Sequence, residues 1–247
     1  MNKLSQALKK HGFIGIIKKL PTHVRSRIKR ARIHPSIFTR YGTTRYQWQK
    51  TQINHELDYW NNKYKQSKLD GLNLRENYFF FTSNRFEKLK LDFADSTVVD
   101  IGCGPDGGLL PFVKARLKIG IDALANEYVK SYPIRNDILM IPSMAENIPL
   151  LSESIGACYC INALDHVMRP YKVLDEIYRV LKKGGYFAFA VDVGGTKAHP
   201  VKIYEKDLNI FFKKHQFKVI EKRCTTNGSL WGENSNIPLY IFQGYKT

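Results

Sequence analysis

The first 55 residues contain no aspartate or glutamate. They do contain thirteen lysines and arginines, from Lys3 to Lys50, which supply most of the net charge of +17. The rest of the chain is close to balanced. Such a split excludes a cationic partner for this stretch and suits an anionic one. Cysteine is scarce too: Cys103, Cys158, Cys160 and Cys224, with no C-x-x-C pair and no histidine pair at ligand spacing. That argues against a zinc centre and against a disulfide framework. Cys158 and Cys160 fall on one face of a strand and are expected to pack as small hydrophobes. Free thiols suit a reducing compartment. Long apolar runs are missing as well. Ile155 to Leu164 and Tyr186 to Val191 are strand-sized, well short of the roughly 18 residues that span a bilayer. The patch Phe13-Ile14-Gly15-Ile16-Ile17 is short for a signal peptide, and no small-residue cleavage site follows it. A cytoplasmic protein is expected.

What is present centres on Thr97-Val98-Val99-Asp100-Ile101-Gly102-Cys103-Gly104-Pro105-Asp106-Gly107-Gly108. A β-branched apolar run ends in an acid, and a glycine-rich turn follows. Leu109 to Val113 can then start a helix. This reads as a buried strand, a loop that approaches a ligand closely, and a helix N-terminus. Gly102, Gly104 and Gly107 satisfy G-x-G-x-x-G, a dinucleotide pattern. Asp100 opposes that ligand, because a carboxylate there repels a pyrophosphate. It suits a ligand whose tail carries an ammonium group.

Around this stretch the chain separates into residues 1–90, a basic helical extension, and residues 91–247, an α/β domain. Helical segments are expected at 2–20 and, as helix or coil, at 22–34, broken by Pro21 and Pro35. A firm helix is predicted over 46–66, with Ile53, Leu57, Trp60 and Tyr64 on one face for core packing. The aromatic segment Leu72 to Phe81 precedes a short helix at about 83–90. The extension either folds over the ligand site as a lid or seals the sheet edge. From residue 97, strands at 97–101, 118–121, 137–141, 155–161 and 186–192 alternate with helices at 108–116, 124–131 and 171–182. A helix at 205–214 and strands at 216–222 and 238–244 complete the pattern. That implies a Rossmann-like, seven-stranded, mostly parallel sheet with helices on both faces.

Ligands in such sheets bind just past the carboxyl ends of the strands. Asp122, in Lys118-Ile119-Gly120-Ile121-Asp122, is placed to accept from a ribose diol, or to cap the helix after Ala123. Ser143-Met144-Ala145-Glu146-Asn147-Ile148-Pro149-Leu150 follows the third strand. Cys160-Ile161-Asn162-Ala163-Leu164-Asp165-His166-Val167 follows the fourth. Tyr178-Arg179-Val180-Leu181-Lys182-Lys183-Gly184-Gly185 ends the next helix, with Gly184 as its left-handed cap.

These motifs together resemble the class I S-adenosylmethionine-dependent methyltransferases, over residues 95 to 222. The resemblance rests on the acid-x-Gly-x-Gly start, the Asn-x-Leu-x-His-Val segment and the Arg-Val-Leu-Lys-x-Gly-Gly turn. It implies S-adenosyl-L-methionine as cofactor, held by Asp100, Gly102, Cys103, Gly104, Asp122, Ala123, Ala145, Glu146 and Asn162. The sequence departs from the family at Met144, where the family has an Asp beside the adenine amino group. A methionine accepts no such hydrogen bond, so backbone at Ala145 or the Glu146 side chain takes that part.

If the acceptor is a hydroxyl, a base must take its proton. His166 and His199 are the candidates, with Asp192 to orient either. No Asn/Asp-Pro-Pro-aromatic motif follows strand four, which disfavours N-methylation. The acceptor class expected is a sugar or glycolipid-type hydroxyl. RNA or a quinone-type lipid is the alternative, and a non-catalytic module the remaining one. Residues 1–34 have an anionic membrane surface as expected partner ahead of nucleic acid, which would place the protein at the inner face of the membrane.

Overall fold

The computed structural model describes residues 45–71, 73–193, 201–225 and 238–247. Contacts divide the chain into Met1–Ile33 and His34–Thr247, and every described residue belongs to the second unit. The segments expected at 2–20 and 22–34 lie outside the described residues, as does His199.

Helix α1 (Arg45–Asp70) and helix α2 (Leu74–Ser83) precede the sheet. Asn73 caps α2 by accepting from the backbone N–H groups of Arg75 and Glu76. Strands β1 (Asp92–Ile101), β2 (Lys114–Asp122), β3 (Ile138–Pro142), β4 (Ile155–Ile161) and β5 (Leu181–Asp192) pair in parallel. Helices α3 (Ala125–Ser131), α4 (Pro170–Val180) and α5 (Glu205–Lys214) lie between or after them. Strands β6 (Phe217–Thr225) and β7 (Leu239–Lys246) close the fold. The sheet order is β3-β2-β1-β4-β5-β7-β6, with β7 antiparallel to both neighbours. The expected seven-stranded, mostly parallel sheet is what forms.

Central strands of parallel sheets are covered on both faces and so read as unbroken apolar runs. Strand β4 follows that rule: all its residues but Gly156 are buried. Tyr159 and Tyr186 pack with Phe93 on one face. Phe187 and Phe189 pack on the other, where Phe212 of α5 stacks on Phe242 of β7 at 3.7 Å between centroids. Cys158 and Cys160 are buried free thiols.

Three elements differ from expectation. No α-helix follows β1; a 3-10 turn over Leu110–Phe112 takes its place. Lys114 already pairs with Asp92, so the crossover is too short for a helix of normal length. The sheet face it would have covered is covered by α2, where Tyr78 and Phe79 pack on the core and Phe79 stacks on Phe112 at 4.1 Å. The aromatic segment is therefore itself the helix, and residues 84–88 form turns and bends. Lastly, α4 stops at Val180, because Leu181 turns extended and pairs with Ile155. Gly184 has a left-handed φ of +73° as expected, but inside β5 and not as a helix cap.

Candidate active site

The site lies where the strand order reverses, between β1 and β4, at their carboxyl ends. Asp100 is fully buried there. Its Oδ2 accepts the Leu109 N–H at 2.8 Å, and its Oδ1 is buried with no hydrogen-bond partner. Burial raises its pKa to about 7, against the lowering effect of the Leu109 hydrogen bond, and the neighbouring Asp122 charge raises it further.

Gly102, Gly104, Gly107 and Gly108 all take left-handed φ values. All four are crowded where a side chain would start; a Cβ at Gly108 would meet the Asp100 carboxylate and one at Gly107 the Ile138 side chain. A Cβ at Gly102 would collide with Ala163 Cβ, so the backbone of the β1 loop lies directly against the Ala163 methyl of the β4 loop. A Cβ at Gly104 would stand 3.0 Å from the indole of Trp60. Cys103 turns its thiol inward, with Sγ 3.9 Å from Met140 Sδ. Burial pushes that thiol pKa up, so Cys103 serves this loop through its backbone.

Asp122 organises the neighbouring strand end. Its Oδ2 accepts the Gly104 N–H at 3.0 Å and its Oδ1 the Leu124 N–H at 2.9 Å. One carboxylate thus joins the β1 and β2 loops and leads into α3, beside exposed Ala123. Each oxygen keeps a second lone pair for a diol. Burial raises its pKa to about 6, although both backbone hydrogen bonds lower it.

The loop after β3 is held by Glu146, expected from sequence as a cofactor residue, and by Arg179 and Glu176, whose part here the sequence did not reveal. Glu146 is buried; its Oε1 accepts the Arg169 N–H at 3.2 Å, and its Oε2 is buried without a partner. Arg179 donates to the Ile148 and Leu150 carbonyls at 2.9 and 2.8 Å, and to Glu176 at 2.8 Å. Glu176 in turn accepts the Ile148 N–H at 3.1 Å. Ala145 and Met144 are half-exposed within this loop.

After β4, Asn162 takes a left-handed φ of +53°, and its Oδ1 is buried with no hydrogen-bond partner. His166 ends the 3-10 turn that follows. Its Nδ1 lies 2.8 Å from Glu56 Oε1 of α1. Gln52, one helical turn earlier, donates to the same Glu56 oxygen at 3.0 Å. Burial alone would lower the imidazole pKa, but the Asp165 charge, the Glu56 hydrogen bond and charge, and the Asp192 charge outweigh it and raise it to about 9. Gln52, Glu56 and Trp60 follow one another at four-residue spacing. Ile53, Leu57, Trp60 and Tyr64 pack on Leu124, Tyr128 and Tyr132, as the helical stripe predicted. So α1 reaches both the glycine loop and His166, whereas the aromatics of α2 seal the sheet. Glu56 was missed. Its one sequence signal is that it ends the acid-free stretch on the same helix face as Trp60.

Residues 99–189 match the family model described as a methyltransferase domain. Over those residues the chain carries a methyltransferase domain. Over 104 residues it is 34% identical to ubiquinone biosynthesis O-methyltransferases of Xanthomonas oryzae pv. oryzae, strains PXO99A and MAFF 311018, a match covering 39% of this chain. The chain spans 43% of the length of those curated relatives. Among solved structures, a Thermotoga maritima S-adenosylmethionine-dependent methyltransferase superposes with a TM-score of 0.52 at 20% identity. That pairing covers 79% of this chain and all of the other. A Streptomyces coelicolor geranyl diphosphate C-methyltransferase, solved with S-adenosyl-L-homocysteine, reaches 0.54 at 13% identity, covering 70% and 79%.

The methyltransferase domain implies S-adenosyl-L-methionine, and the residues present fit it. The partnerless Asp100 Oδ1 is an acceptor of the kind an ammonium tail needs, Asp122 keeps lone pairs for a ribose diol, and Asn162 and Glu146 each offer a buried acceptor. The glycine loop admits a ligand against backbone. When bound, the cofactor supplies an activated methyl group on a sulfonium. The protein's own part is to bind, orient and exclude water.

Proposed function

We propose that this chain is an S-adenosylmethionine-dependent O-methyltransferase acting on a phenolic hydroxyl of a quinone-type lipid precursor. The observation that carries the reading is the carboxylate-backed imidazole of His166 on the cofactor edge of the sheet. A base with a pKa near 9 is matched to a phenol, whose pKa is about 10. Sugar hydroxyls are weaker acids by several units, so the sugar or glycolipid acceptor expected from sequence asks for a stronger base. The relatives named for ubiquinone biosynthesis favour the same acceptor class.

The basic residues 1–34 fit this reading, because an apolar acceptor resides in a membrane and anionic lipids attract lysine and arginine. Among the described residues no helix is long and apolar enough to cross a membrane. Binding of the full chain to anionic vesicles is expected, with loss on deletion of residues 1–34.

The function is tested with methyl-labelled S-adenosylmethionine and three acceptors: a prenylated catechol, a methyl glycoside and an RNA pool. Label entering the catechol supports the proposal. Label entering only the glycoside or only the RNA refutes the acceptor class, and no cofactor binding by calorimetry refutes the activity.

A further inference from the structure

Helix α1 lies outside the matched methyltransferase domain, yet it supplies a carboxylate 2.8 Å from His166 Nδ1. Resting on the O-methyltransferase reading above, we infer that Glu56 is a positioning residue of the transfer site. It holds His166 through Nδ1 and leaves Nε2 as the nitrogen that takes the acceptor proton.

The hydrogen-bond pattern supports that tautomer. Gln52 donates to Glu56 Oε1, and the Gln52 nitrogen also lies 3.2 Å from His166 Nδ1. Two donors that share one carboxylate explain both distances: the Gln52 amide and the Nδ1–H both point to Glu56. Nε2 then carries the basic lone pair. In the transfer step the acceptor O–H bond breaks and its proton moves to Nε2. The oxygen electron pair forms the new O–C bond, and the pair of the broken C–S bond returns to sulfur.

Other charges surround the ring. Asp165 Oδ1 is 3.8 Å from Nε2, Asp192 ends β5 nearby, and His55 stands 3.9 Å from Glu56 on α1. Asp165 and Asp192 belong to the domain itself. Glu56 is the contribution of α1, at hydrogen-bond distance from Nδ1. Glu56 in turn is held below the usual carboxylate range. Burial raises its pKa, but the His166 hydrogen bond and charge, with a further part from His55, outweigh that. The pair therefore rests as carboxylate and imidazolium at neutral pH, and turnover requires the imidazolium to lose its proton.

The test uses the full chain and Glu56→Gln. For the wild type, kcat/KM is expected to rise with pH up to about 9. In Glu56→Gln the rise should move down by at least one pH unit, and kcat at its plateau should fall by about 10- to 100-fold. Calorimetric binding of S-adenosylmethionine should stay within about threefold. Glu56→Asp, which keeps the charge, should restore the high-pH profile. An NMR titration of the His166 ring in wild type and Glu56→Gln reads the same shift without turnover. An unmoved profile and an unmoved ring titration overturn the inference. A wild type that binds no cofactor overturns the function itself, so the two failures are distinguishable.

Discussion

Replacing Asp100 with asparagine separates the charge of the cofactor loop from its architecture. The carboxamide oxygen can still accept the Leu109 N–H, so the turn after β1 is kept. What is lost is the negative charge behind the partnerless Oδ1. A charge-assisted hydrogen bond to an ammonium contributes about 1.5–3 kcal/mol, or roughly 10- to 150-fold in affinity. Calorimetry should therefore show that loss for S-adenosylmethionine. It should be nearly absent for 5′-methylthioadenosine, which keeps the adenosine and sulfur but lacks the amino-acid tail. The pH dependence follows from the same group. Its folded pKa is raised from 3.8 to about 7. Its stabilising contribution is thus complete below pH 3.8 and lost as pH rises through 7, by up to about 4 kcal/mol. Without ligand, Asp100→Asn should melt above the wild type at pH 8 and close to it at pH 4. Wild-type affinity for S-adenosylmethionine should be about tenfold weaker at pH 6 than at pH 8, because binding needs the ionised form. Equal loss of both ligands, or no loss of either, refutes the assignment of Asp100 to the ammonium tail.

Other outcomes follow from the packing. Gly104→Ala forces a side chain at φ +62° against Trp60, and should cost about 1–3 kcal/mol in denaturant melts. Adding Trp60→Ala should recover the steric part, so the double-mutant cycle should be non-additive. Arg179→Ala removes the donor to the Ile148 and Leu150 carbonyls and one of the two cations beside buried Glu176. Glu176 keeps Lys172 and the Ile148 N–H, so the change should cost about 1–2 kcal/mol and raise the KM for S-adenosylmethionine more than it lowers kcat. Asp122→Asn should weaken adenosine itself as well as S-adenosylmethionine, which sets it apart from Asp100→Asn in the same calorimeter.

The alternating elements from residue 97 onward were legible because parallel strands buried on both faces leave apolar runs that no loop imitates. Strand β4 and helix α5 begin and end at the predicted residues, 155–161 and 205–214. The cofactor loop was legible for a related reason: glycines at φ values barred to other residues leave a trace in sequence. The missing helix after β1 was not legible. Leu109 to Val113 has the apolar spacing of a helix, and only the pairing of Lys114 with Asp92 withdraws the residues that a helix would need. Nor could sequence show that α2 covers the face left open, since that depends on Phe79 meeting Phe112 across 33 positions.

The deepest division lies at His166. Its position after the fourth strand marks it as a chemical candidate from sequence alone. Whether it is neutral or charged depends on groups brought to it in space: Glu56 from 110 positions away, Asp165 beside it and Asp192 from the next strand. Local spacing determines which side chains stand at the carboxyl ends of strands. Charge interactions decay with distance through space and not along the chain. Tertiary structure alone therefore decided the protonation of the imidazole and the part α1 plays in it.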